Sequence, residues 1–179
     1  MDGDSIIMIL IMIALTACSA FFSATETAYL SFNQAKMKTL AASGDKRAQM
    51  VLSLYNDYDR LITSVLVGNN IVNISLSSIS TVLFIKFLGD MGATVSTVII
   101  TVIVLIFGEI TPKTVSKDFA ESFALSTVYA VKAVILIFYP LSFIFGLWQK
   151  LVDRISNPPG ESTVTEDEII TLVDEAEEG

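Results

Sequence analysis

Histidine is absent from the 179 residues, and cysteine occurs once, as Cys18 inside an apolar stretch. A lone thiol in such surroundings packs as a small hydrophobe. Without histidine or a second cysteine, disulfides, zinc sites and haem sites are excluded. The same lack removes Ser/His pairs, and no second acid lies at a suitable depth in the apolar stretches, so no enzymatic role is expected. Charge is scarce as well: 17% of the chain is charged against 53% apolar, too apolar a balance for an ordinary soluble domain. The formal net charge of −8 is unevenly spread. Residues 1–160 hold eleven basic and eleven acidic side chains, and the other eight acids fall in 161–178. The first part is therefore neutral and the tail acidic, and no nucleic-acid partner is expected.

What the chain does have is long uncharged runs. Residues 61–85, bracketed by Arg60 and Lys86, number twenty-five, enough to cross about 30 Å of hydrocarbon at about 1.5 Å per residue. Residues 5–24 and 91–108 are two further runs. The expectation is an all-α membrane protein with three spans, at about 5–31, 60–86 and 91–111. Asp2 and Asp4 precede the first run where a secretion signal would carry basic residues, so this run reads as a retained span.

Charge placement orients the spans. Lys36, Lys38, Lys46, Arg47 and Arg60 lie between the first and second, whereas the next loop offers Lys86 beside Asp90. By the positive-inside rule the first loop is cytoplasmic, which puts the N-terminus outside and the C-terminus inside a multi-pass plasma-membrane protein. That loop, residues 33–58, reads as a short cytosolic helix pair broken at Ser43-Gly44-Asp45. Residues 119–155 are expected to form a kinked juxtamembrane helix at the inner interface. Lys132 splits its apolar run, Pro140 and Gly146 favour a bend, and Lys132 and Lys150 reach toward the head groups. The alternative is a fourth crossing by residues 133–149.

A breaker, Asn157-Pro158-Pro159-Gly160, ends the membrane domain, 1–156. Beyond it, Thr165-Glu166-Asp167-Glu168 resembles a capping box ahead of Ile169, Ile170, Leu172 and Val173. Residues 157–179 thus read as a breaker and acidic amphipathic linker, whose apolar side predicts a further cytosolic domain to cover it.

Polar side chains in hydrocarbon are costly unless they face a partner, a cavity or a substrate. In the first span, Ser19 and Thr27 fit simple helix packing, while Ser23 and Glu26 admit packing or a ligand role equally. In the second, Asn69 and Asn73 share a face with Ser77 one turn on, and Asn70 stands about 100° round; this stripe is a ligand set or interhelical glue. In the third, Phe107-Gly108-Glu109-Ile110-Thr111-Pro112-Lys113 places a proline four residues after Gly108, which frees that carbonyl, beside the only carboxylate of the run. The alternative for Glu109 is an i, i+4 pair with Lys113. Counted along the helices, the three groups fall in the cytoplasmic half of the bilayer. Hydroxyl, amide, carboxylate and carbonyl oxygens, with no sulfur or imidazole, suit a hard cation such as Mg²⁺, Ca²⁺ or Na⁺.

At these residues the chain resembles the transmembrane domain of the CorC / cyclin-M magnesium transporters. The matching strings are Phe22-Ser23-Ala24-Thr25-Glu26-Thr27-Ala28, Gly68-Asn69 with Val72-Asn73, and Phe107 through Lys113, within about residues 5–155. The resemblance implies a homodimer and an inward-facing, dehydrated Mg²⁺ site, with export driven by Na⁺ exchange. Carried onto this chain, the implied ligands are Ser23, Asn69 or Asn73, the Gly108 carbonyl and Glu109; Asn70 is set beside them because its position varies in the pattern. It also implies a C-terminal nucleotide-binding regulatory domain, which these residues do not include. A membrane Mg²⁺ sensor or scaffold, binding the ion without moving it, is the competing expectation.

Overall fold

The computed structural model describes residues 2–156, and among these all regular structure is helical. The chain divides into two units, Met1–Phe143 and Ile144–Gly179, and every contact described below belongs to the first. The expected breaker and acidic linker at 157–179 and the side chain of Lys150 lie outside the described residues.

Helix α1, Gly3–Ser31, opens with Asp2 accepting from the Ser5 N–H at 3.2 Å and stops where Phe32 turns extended. Two short helices follow, α2 (Gln34–Ala42) and α3 (Lys46–Tyr55), capped by the side chains of Asn33 and Asp45. The turn between them is the expected Ser43-Gly44-Asp45. The Arg47 and Ala48 N–H groups hold the Asp45 carboxyl below its ordinary range.

Helix α4, Tyr58–Leu88, runs into a 3-10 turn at Gly89–Met91 and then α5, Gly92–Ile103. The chain folds back here, and the close approach depends on Gly92. A Cβ at that position would fall 2.5 Å from the backbone of Ile85. About one turn along, Ser80 and Ser96 share a buried 2.7 Å hydrogen bond that joins the antiparallel helices. After α5 the backbone widens into a π-helical segment, Val104–Ile110, and continues as α6, Thr111–Asp118. Helix α7 covers Ala120–Ser156 and includes Pro140.

Among the described residues, three stretches are long and apolar enough to cross a membrane: Gly3–Ser31, the folded-back Tyr58–Asp118, and Ala120–Leu141. Ile13, Ile74 and Val98 are 62%, 67% and 62% exposed, a placement that water penalises and lipid does not. The main core lies at one end of the bundle. There Ala120, Ala124, Val128, Val131 and Ile135 of α7 meet the C-terminal part of α1, both short helices and the start of α4. Glu121 accepts the Asn33 N–H at 3.2 Å and pairs with Lys36 at 3.7 Å, fastening α7 to the start of α2. At the far end, Lys86 of α4 reaches Asp2. With Ser5, it holds the Asp2 carboxyl well below the usual carboxylate range.

Candidate functional site

Hydroxyls in apolar helices usually bond back to the carbonyl one turn earlier. Thr16, Thr25, Ser75, Ser78, Thr81 and Thr97 all do so. Ser19 and Ser23 depart from the rule, each differently. Ser19 Oγ donates across the bundle to Asn69 Oδ1 at 3.1 Å, in a buried contact between α1 and α4. Ser23, one turn on along the same face, is 0% exposed and its Oγ has no partner.

The π segment meets α1 at the same level as Ser19. A Cβ on Gly108 would fall 2.8 Å from Ser19 Oγ, so only glycine lets the two backbones approach while that hydroxyl keeps its bond to Asn69. The widened turn has a local cause. Pro112 has no N–H to return to the carbonyls four and five residues earlier, Gly108 and Phe107. The Thr111 N–H just before it donates five residues back, to Ile106.

Beside this contact opens a cavity of about 240 Å³ lined by Asn73, Ser77, Thr97, Thr101 and Glu109 among others. Asn73 Oδ1 is buried without a hydrogen-bond partner. Four side-chain polar atoms are in that condition among the described residues, and Ser23 Oγ and Asn73 Oδ1 are two of them. Such orphans cost free energy unless a water or ion satisfies them.

The expected alternative for Glu109, an ion pair with Lys113, is not the one observed. Lys113 Nζ lies 3.1 Å from Glu26 Oε2 on α1, and among the described residues Glu109 has no ion pair. The lysine one turn below is therefore engaged elsewhere, and the carboxylate stays available to the cavity. No group of three His, Cys, Asp or Glu side chains lies together among the described residues, and Glu109 is the one carboxylate in the lining of this cavity, beside hydroxyl and amide groups.

The six sequence-predicted residues are thus placed differently. Ser19, Asn69 and Gly108 meet in one contact; Asn73 and Glu109 share the cavity. Because α1 and α4 run in opposite directions, Ser23 lies about 6 Å along α1 from that contact on the side of the short helices, and Asn73 about 6 Å along α4 on the other side. The donors form a column about two turns long. Asn69 already accepts a hydrogen bond, whereas Asn73 is unsatisfied, which favours Asn73 as the available amide. Asn70 is exposed and does not line the cavity. Ser19, read from sequence as packing, also positions Asn69. Thr97 and Thr101 were missed, although their signal was present: positions 97, 101, 105 and 109 repeat every four residues and end on Glu109.

Residues 10–179 match the family model described as the cyclin M transmembrane N-terminal domain. A UPF0053 protein of Haemophilus influenzae is 33% identical, the match covering 98% of this chain and 43% of that protein. The UPF0053 inner membrane protein YfjD of Escherichia coli is 30% identical over 88% of this chain and 38% of its own length. A Haemophilus influenzae protein named polyamine export protein is 27% identical, over 89% and 39% respectively. The chain spans about two fifths of the length of these curated relatives.

Proposed function

The chain belongs to the cyclin M transmembrane domain family of membrane proteins, and on that premise we propose that it carries Mg²⁺ across the bilayer through the column of oxygens between α1, α4 and the π segment. Ser23, Asn69, Asn73, Glu109 and the Gly108 carbonyl are its proposed ligands. The observation that carries the reading is the pair of enclosed, unpartnered oxygens, Ser23 Oγ and Asn73 Oδ1, on either side of the Ser19–Asn69–Gly108 contact. Mg²⁺ takes six oxygens at about 2.0–2.1 Å and gives up water reluctantly. A single carboxylate among neutral oxygens offsets part of its charge, so the ion is held without being trapped. Donors spread over two turns suit passage from one group to the next.

With the positive-inside rule, the short helices and the Ser23 end of the column face the cytoplasm. The proposed assembly is a homodimer, with α7 at the inner interface and Na⁺ exchange driving export. The role is transport, without catalysis.

Proteoliposomes containing the full chain test this directly. Mg²⁺ flux under a Na⁺ gradient is expected, and Glu109→Gln or Asn73→Ala should lower it about tenfold or more, with the helical content and oligomeric state of the wild type. Wild-type flux in both variants rejects the site. Mg²⁺ binding with no flux under any gradient would instead make the chain a sensor. A second reading comes from the relative named polyamine export protein. Carboxylate, hydroxyl and amide oxygens also accept hydrogen bonds from protonated amines. Spermidine flux that excess Mg²⁺ does not inhibit would favour that cargo.

A further inference from the structure

Where α3, α4 and α7 meet, a cavity of about 300 Å³ opens that shares no residue with the cation column. Its walls are aliphatic, formed by Leu54, Leu61, Ile135 and Leu136, and its polar groups include Arg60, Lys132 and Asp57. Arg60 stacks on the Tyr139 ring at 4.3 Å, which fixes the plane of the guanidinium. Its ion pair with Asp57 is 3.5 Å long between side chains 40% and 61% exposed, a pairing that contributes little. One such contact leaves most of the five guanidinium donors uncommitted. Lys132 is exposed and has no ion pair among the described residues. Two cations against one carboxylate leave one surplus positive charge at the cavity.

Position gives that charge a meaning. Arg60 directly precedes the uncharged run 61–85, so the charged side of the cavity sits at head-group level. Leu54, Ile135 and Leu136 supply wall for a hydrocarbon chain. A free anion would use the cations and leave the walls idle; a hydrocarbon alone would do the reverse. An anionic amphiphile, such as a lipid with a phosphodiester at its junction, uses both.

We propose that this cavity binds one anionic glycerophospholipid, its phosphodiester held between Arg60 and Lys132 and the start of an acyl chain lying along Leu54, Ile135 and Leu136. Arginine suits a phosphate through its planar fork, and lysine as a mobile point charge. The volume fits a head group and the first part of a chain, with the rest of the lipid remaining in the bilayer. Bound there, the lipid joins α7 to the start of α4.

Native mass spectrometry of the full chain, incubated with equal amounts of phosphatidylglycerol and phosphatidylcholine carrying identical chains, reads this site. Preferential retention of phosphatidylglycerol is expected. Lys132→Gln should lower it about fivefold, as the loss of one interfacial cation does. Lys132→Arg should keep it, and Lys117→Gln, outside the cavity, should leave it unchanged. Equal retention of the two lipids would overturn the proposal. So would equal effects of Lys132→Gln and Lys117→Gln, or displacement of the lipid by excess inorganic phosphate, which would show that a free anion is the ligand.

Discussion

Ser23 separates packing from function more sharply than any other residue of the column. A hydroxyl that contributes to stability loses a hydrogen bond on truncation, as Thr25→Ala would lose its 2.7 Å bond to the Phe21 carbonyl. Ser23 has no such bond to lose. Ser23→Ala is therefore expected to leave thermal stability unchanged or slightly raised while Mg²⁺ flux falls about tenfold or more. A fall in melting temperature with flux intact would make the residue structural. Glu26 makes a second residue-scale case, because it holds the lysine that would otherwise pair with Glu109 one turn back. Glu26→Gln frees Lys113 to compete with the cation, and Mg²⁺ affinity measured by calorimetry should weaken about tenfold. Adding Lys113→Met should restore it, a non-additive pair by which a double-mutant cycle identifies coupling. Additive losses would refute the coupling.

Among the elements, the α4–α5 hairpin and the π segment carry the geometry. Each depends on a glycine whose missing side chain admits a neighbour, but the neighbours differ in what they can yield. At Gly108 the obstacle to a Cβ is a rotatable hydroxyl. At Gly92 it is the Ile85 backbone, which cannot turn aside. Gly92→Ala should therefore destabilise the fold by roughly 1–3 kcal/mol, the usual cost of overpacking, seen as a lower melting temperature in detergent. An unchanged melting temperature would mean that the hairpin opens without cost. Pro112 illustrates a different kind of control: it acts through a donor it lacks, and the widened turn just before it presents Glu109 to the cavity.

For the whole molecule, a cation bound between Asn73 and Glu109 would link α4 to the π segment, elements distant in the chain, and it should stabilise the folded form by mass action. Mg²⁺ at about a hundred times its dissociation constant contributes about 2.7 kcal/mol. The expected readout is a rise in melting temperature with MgCl₂ that NaCl of equal ionic strength does not reproduce and that Glu109→Gln abolishes. A rise unaffected by Glu109→Gln would place the binding elsewhere.

The sequence by itself determined the solvent and the helices. Uncharged runs between Arg60 and Lys86 and on either side of them required an apolar surrounding, and Ser43-Gly44-Asp45 marked the break in the short helix pair, because capping and hydropathy are local properties. It also picked out Glu109 and Asn73, since a costly group in an apolar run stands out without any knowledge of its neighbours. Tertiary structure alone decided which partners these groups have. That Lys113 pairs with Glu26 and not Glu109, that Ser19 bonds Asn69 and leaves Asn73 unsatisfied, and that α7 packs on the short helices all depend on how separate helices face one another. Helical periodicity places a side chain on a face, but which helix comes to lie against that face is settled only when the small residues at Gly92 and Gly108 let the backbones close.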